Sequence, residues 1–415
     1  MIRSLLILCL ALFALTAHAH ENHTKYQSSA LAIGLAFDSQ GNLWRAGVAD
    51  GFVNVSMSRD LGETFSTPVK VNPVAQKIGA DGEARPKIAV SKEGVIYLTW
   101  TEALKKPFSG YIWFARSIDA GKTFEKPYIV HQDRDEITHR FDSLNLAVDG
   151  TITVTWIDKR DLIAAKAAKK PYDGAAIYYA VSNNKGVSFL PEQKLADSSC
   201  ECCRIALTNK PDGAVAAMWR HVFAGSERDH MMAEIPNMSV NANKTVEPKR
   251  ATFGRWKIDG CPHHGAALAS GGEGKNWWGY HMAWFDGGND DAGKDATLFY
   301  GRMDGEAWVS SPAKKFGNMA KQAGHPALAS IGENVWLVWR EKNAGKSQIW
   351  LMQSQDEGKN WEAPHMAFEV AGVADYPMLL QKENQVFLVW NTQEEQLKVT
   401  PLSRLASRSA SSPAQ

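Results

Sequence analysis

Little in this chain points to a charged polymer or a lipid bilayer. Lys and Arg total 46 against 45 Asp and Glu, a formal charge of +1, so no one-signed field draws the protein to nucleic acid or to an acidic membrane. Beyond the first nineteen residues no stretch approaches the ~18 uninterrupted apolar residues of a spanning helix, so no membrane span is expected and the mature chain reads as soluble. Collagen-like periods, heptads and long low-complexity tracts are missing. With 22% charged residues, 33 Gly and 17 Pro, the composition is that of a globular protein. Cysteine is scarce, at five residues, and its placement is therefore informative.

Residues 1–19 read as a cleavable leader. Arg3 provides the positive start, Leu5 to Leu15 the apolar core, and Ala17-His18-Ala19 a small-x-small cleavage site. Cleavage after Ala19 places the protein in the periplasm or outside the cell. Cys9 is lost with the leader, and Cys200, Cys202, Cys203 and Cys261 remain, in a compartment that permits disulfides.

Tryptophan is abundant, at fifteen residues, and regular. Trp44, Trp100, Trp156, Trp219, Trp284, Trp339 and Trp390 follow one another at 56, 56, 63, 65, 55 and 51 residues. Most close an apolar β-like run, such as Ile152-Thr-Val-Thr-Trp156 or Val386-Phe-Leu-Val-Trp390, after a turn and an earlier apolar run. A period above ~40 residues built from short strands predicts propeller blades. Seven units are counted, with first strands near residues 31, 86, 143, 204, 265, 326 and 377. Six remain if the first or seventh is only a partial sheet. The seventh lacks a clear fourth strand after Pro401, which residues near Lys25-Tyr26 could supply.

A second motif closes the unit. Ser58-Arg-Asp60-Leu-Gly62-Glu-Thr64-Phe65 returns at Ser117–Phe124, Ser182–Phe189 and Ser354–Trp361. The acid or amide caps a tight turn, glycine supplies positive φ, and the aromatic packs back between sheets. This pattern resembles the Asp-box of sialidase-like β-propellers, over nearly the whole mature chain. The resemblance implies an all-β propeller over residues 20–402, followed by a disordered Ser/Ala-rich tail at 403–415. It also implies that the boxes are structural and lie opposite the functional face.

In a four-stranded blade A-B-C-D, the start of A and the end of B share one rim, and A lines the channel. The residues at those positions are mostly polar: Arg85, Arg140, Asp142, Cys202, Cys203, Arg204, Cys261, His263, His264, His325, Asp375 and Tyr376 before or within A strands, and Arg45, Glu102, Asp158, Arg220, His221, Asp286, Arg340, Glu341 and Asn391 after B strands. The longest loops, 159–174, 222–230 and 287–296, leave the same rim.

Cys200, Cys202 and Cys203 enter the fourth unit, Cys261, His263 and His264 the fifth, and His325 the sixth, with His221 beside them. Thiolates and imidazoles at one mouth suit zinc or copper, and soft thiolates favour Cu(I). The same cysteines also suit an interblade disulfide, and both readings stand at this point. The leading expectation is an exported propeller that binds a metal at the channel mouth without catalysis. The resemblance implies an alternative, an exo-sialidase-like glycoside hydrolase in which Tyr376 is the nucleophile, Arg85, Arg204 and Arg340 hold a substrate carboxylate, and Glu341 or Glu102 activates the tyrosine. Here the family's early arginine motif is represented only by Arg85-Pro86. A third reading is a non-catalytic scaffold that binds a protein partner through the long rim loops, and across the readings the expected partner at the channel mouth is a small molecule, a glycan or a protein. The sequence sets no oligomeric state.

Overall fold

The computed structural model describes residues 31–237, 246–288 and 296–409. The leader, residues 25–26 and most of the third rim loop lie outside that range.

The B runs form the hearts of the sheets because they are apolar on both faces. Ile152–Asp158 is buried at all seven positions, as a strand must be when another sheet covers each side. The outer strands are short and more polar, for example Val69–Lys70 and Lys249–Arg250, which limits edge-to-edge pairing. Seven antiparallel sheets follow one another, over residues 34–70, 87–129, 139–199, 206–250, 267–316, 324–371 and 378–401. Six are four-stranded meanders and the seventh has three strands. Each inner strand packs against the next, and the last, Met378–Lys382, meets the first, Gly34–Phe37. The result is a seven-bladed propeller, which excludes the six-bladed count.

The repeating tryptophans are the wedges between blades. Trp100, Trp156, Trp219, Trp339 and Trp390 are essentially inaccessible. In four blades the B-strand tryptophan pairs directly with an aromatic of strand C: Trp100 with Trp113, Trp156 with Tyr178, Trp284 with Phe299 and Trp339 with Trp350. Such cross-strand aromatic pairs add to burial as a source of sheet stability.

All four Asp-boxes adopt one geometry. In the second, Ser117 Oγ donates to Asp119 (2.8 Å) and accepts from Gly121 N (2.9 Å), while Asp119 accepts from Thr123 N and Oγ1. Box glycines abut the preceding blade. A Cβ at Gly186 would lie 2.6 Å from the Phe114 ring, and one at Gly62 would meet Val399 at 3.3 Å across the ring closure. Pairing of Ile96 with Ser117 and of Ala103 with Gly110 puts the boxes on the rim opposite the B-strand ends.

Among the described residues two α-helices interrupt the β pattern. α1 (Arg160–Ala167) sits in the first long rim loop. α2 (Leu402–Ser409) occupies the start of the segment expected to be a disordered tail, because Leu402 and Leu405, three residues apart, bury themselves against the last blades. No helix among the described residues is long and apolar enough to cross a membrane.

Candidate functional site

Strand register brings the expected residues to one mouth. Gly324 pairs with Arg340, and His139 with Asp158, so A-strand starts and B-strand ends do share a rim. A cavity of about 340 Å³ opens there, lined by Asp81, Glu83, His263, Arg340, Lys342 and Tyr376 among others.

The thiols lie beside it. Cys200 follows the outer strand Gln193–Ser199, and the turn of Cys202 and Cys203 leads toward the next inner strand. All three are buried. Cys200 Sγ lies 3.8 Å from Cys202 Sγ and 3.9 Å from Cys203 Sγ, and the three sulfurs lie within 4.8 Å of one another. The backbone fixes this group, since Cys200 N donates to Arg220 O at 2.9 Å. Thiol hydrogen bonds from Cys202 and Cys203, followed by nearby Arg220 and Arg228, hold the Cys200 thiol well below its ordinary pKa. Donation to Cys200 pushes Cys202 and Cys203 upward. Cys261 is exposed and its thiol faces Cys202, which lowers its own pKa.

The four cysteines are free thiols, so the interblade disulfide expected as one reading is not formed. Sulfurs 3.8 Å apart stand far outside the ~2.05 Å of a covalent bond. Neither Cys261 nor any imidazole nitrogen among the described residues lies within 4.8 Å of all three buried sulfurs.

The histidines form a separate set. His325 adopts left-handed backbone (φ 54°) inside a bulge of its inner strand, between Gly324 and Ala327. Bulges re-aim side chains, and here the imidazole stacks on Tyr376, with ring centroids 3.5 Å apart and planes 11° apart. His264 stacks on His325 at 4.6 Å and on Phe285 at 4.1 Å. Burial holds both imidazoles well below their ordinary pKa, so they are neutral at pH 7. His325 Nδ1 lies 3.2 Å from Glu83 Oε1. His263 lines the cavity. His221 packs edge-on against Phe223 at 4.5 Å, and burial, then Arg250, lower its pKa to about 4. The single Cys/His cluster foreseen from the sequence is thus two adjoining sets, linked through Arg140, which senses Asp81 on one side and Cys202 and Cys261 on the other.

The residues named for glycoside hydrolysis are only partly assembled. Tyr376 lines the cavity and Arg340 lies 4.8 Å over its ring. Arg85 donates to both carboxylate oxygens of Asp375, at 2.7 and 2.9 Å, and does not line the cavity. Arg204 bonds the carbonyls of Ala266 and Pro326. Glu341 accepts from Trp339 Nε1 (2.9 Å) and Asn318 N (2.8 Å), and Glu102 accepts from Trp113 Nε1, so each carboxylate is an indole acceptor within its blade. Of Arg85, Arg204 and Arg340, only Arg340 lines the cavity. Asp142, one of the predicted rim groups, serves the wall, accepting from Thr99 and Thr101 and pairing with Lys87.

Glu83, Asp81 and Lys342 were not foreseen. Glu83 is buried and also accepts from Arg204 N at 3.3 Å. Its signal in the sequence was the acidic pair in Asp81-Gly-Glu83-Ala-Arg85-Pro86 at the entry of a blade.

No family model matches the chain, and no curated protein matches it in sequence. Solved structures do match. A polysaccharide lyase of family PL25, an ulvan lyase, superposes with a TM-score of 0.54 at 11% identity, covering 90% of this chain and 95% of its own. The same type of lyase has been solved bound to -[GlcA(1-4)Rha3S]-, with the same score and identity over 90% of this chain and 92% of its own. The polysaccharide lyase Uly1 gives 0.56 at 10% identity over 90% of each chain. The propeller fold is therefore shared with these polysaccharide lyases over nearly the whole chain.

Proposed function

We propose that this protein is an exported metal-binding propeller that holds a thiophilic ion, Cu(I) or Zn²⁺, on Cys200, Cys202 and Cys203. One observation supports this above the others: the sulfur spacings of 3.8 and 3.9 Å. At a metal–sulfur bond of ~2.3 Å, sulfurs lie ~3.8 Å apart at tetrahedral angles and ~4.0 Å apart in a trigonal plane. Export rests on the leader. The reading is tested by elemental analysis of protein purified from its own compartment without chelator, alongside thiol titration. About one ion per chain is expected, and Cys203→Ser, which removes a ligand, lowers affinity by more than the roughly hundredfold that loss of a supporting residue costs. Metal-free protein that also ignores added Cu(I) and Zn²⁺ under reducing conditions sinks the proposal.

A second reading is favoured by a different observation. Arg340 and Lys342 border the cavity with no carboxylate in ion-pair reach among the described residues, and Arg340 lowers the pKa of Lys342 after burial does. Two adjacent unpaired cations suit an anionic ligand, such as the uronate or sulfate of an acidic glycan. The fold shared with a lyase bound to a GlcA- and Rha3S-containing chain is compatible with this. Calorimetric titration with uronate-bearing and neutral oligosaccharides checks it. Equal or absent binding of the two removes it.

A further inference from the structure

The mouth contains a buried charge with no carboxylate in ion-pair reach among the described residues. Arg220, the last residue of Val215–Arg220, is 1% exposed. Its guanidinium donates only to main-chain carbonyls: Arg228 O (3.0 Å), His264 O (3.2 Å) and Phe285 O (2.8 Å). Nε has no partner, and the guanidinium centre lies 5.2 Å over the Trp256 ring. Among the described residues no carboxylate comes within ion-pair distance of it. Asp286 senses its charge from farther away, and Asp229 is taken by Arg250. A guanidinium stays charged at any ordinary pH, and burying it without an anion is costly.

The groups that can supply the anion are the sulfurs. Cys200 and Cys203 both sense Arg220, and the Cys200 amide is tied to the Arg220 carbonyl. Arg228 also acts on Cys200, and Arg140 on Cys202 and Cys261. The nearby acid, Glu201, is neutralised by Lys159. The charges of three arginines therefore act on the thiols. Three thiolates with a monovalent ion carry a net charge of −2, and with a divalent ion −1. Either complex is an anion, and loading gives Arg220 the counter-charge that its carbonyl neighbours cannot.

We infer that Arg220 is a positioning residue for metal loading, the buried counter-charge that makes the site selective for an anionic metal–thiolate complex and couples loading to the stability of the fold. The inference rests on the thiol-site reading above. Loading, not folding, is the state that the arginine favours.

The test uses the full mature chain, reduced and stripped of metal, titrated separately with Cu(I) and Zn²⁺ against a competing chelator. Wild type, Arg220→Met and Arg220→Lys are compared, and melting is followed with and without metal. In Arg220→Met, affinity for the ion that binds falls about tenfold or more, as for other supporting residues around metal ligands, and the rise in Tm on loading shrinks. Its metal-free Tm stays at or above that of wild type, because an uncompensated buried charge is gone. Arg220→Lys keeps affinity within about threefold, since the charge is retained. Wild type that binds while Arg220→Met binds equally overturns this inference alone. A metal-free Tm that drops in both variants together with affinity assigns Arg220 a purely structural role and overturns it too. Wild type that binds neither ion overturns the thiol-site reading, and this inference with it.

Discussion

The two rims of the disc are made by the same strands and follow different rules. On the Asp-box rim, one solution is repeated: hydroxyl to carboxylate, hydroxyl to amide, carboxylate to threonine or asparagine. On the mouth rim no blade repeats its neighbour. It carries buried thiols, a guanidinium bonded only to carbonyls, stacked neutral imidazoles and left-handed residues such as His325 and His263. Repetition with every group satisfied is what a scaffold selects. Irregular, costly groups persist only where something else needs them.

That contrast can be attacked directly. The largest effect is expected from Asp142→Ala, which strands the buried Nζ of Lys87 and two threonine hydroxyls. About 3–5 kcal/mol of stability should be lost in denaturant unfolding, while metal loading per folded molecule is unchanged. Impaired loading in that variant would join the channel wall to the site and blur the division. A smaller effect is expected at the other rim. Ser117→Ala removes a buried hydroxyl that serves both Asp119 and Gly121, and about 1–2 kcal/mol should go, again without touching loading. The smallest effect is in pH dependence, followed by melting temperature. The box carboxylates Asp60, Asp119 and Asp356 are held at about 2, chiefly by hydrogen bonds from Thr64, Thr123 and Asn360, against an ordinary 3.8. A folded pKa below the unfolded one gives stability that is complete above the unfolded value and fades as pH falls from 3.8 toward 2. Buried His264 and His325 are likewise lowered from 6.5, so the mouth begins to lose its contribution as soon as pH falls below 6.5. Two separate acid windows should appear, and His264→Gln should flatten only the upper one. A single window below pH 4 would remove the distinction.

The ring was legible because its causes are local and repeated. Each blade carries its own tryptophan, its own turn and, in four cases, its own box, so the chain states the period directly. The shared rim followed from strand alternation alone. The contents of that rim were harder to read. Nothing in Ala323-Gly324-His325-Pro326 announces a bulge that turns the imidazole onto Tyr376. The Trp-x-acid spacing at Trp156 and Trp339 was present in the sequence, yet Asp158 and Glu341 looked like free rim acids, because indole acceptance is visible only once the strand is folded. The separation of thiols from imidazoles depends on side-chain direction after a turn, which residue order does not encode. α2 was hidden because two leucines are enough to dock a helix in a Ser/Ala-rich setting.

The Arg85–Asp375 pair spans 290 positions and carries one last implication. Arg85 also bonds Ile33 O, so a single side chain fastens the entries of the second, first and seventh blades. Tyr376 follows Asp375 directly, and the cavity is lined both by residues 81–83 and by residues 372–376. A nascent chain still short of its last blade therefore has no cavity to offer, however well its earlier blades have formed. Occupancy of that cavity therefore reports that the first and last blades have closed the ring.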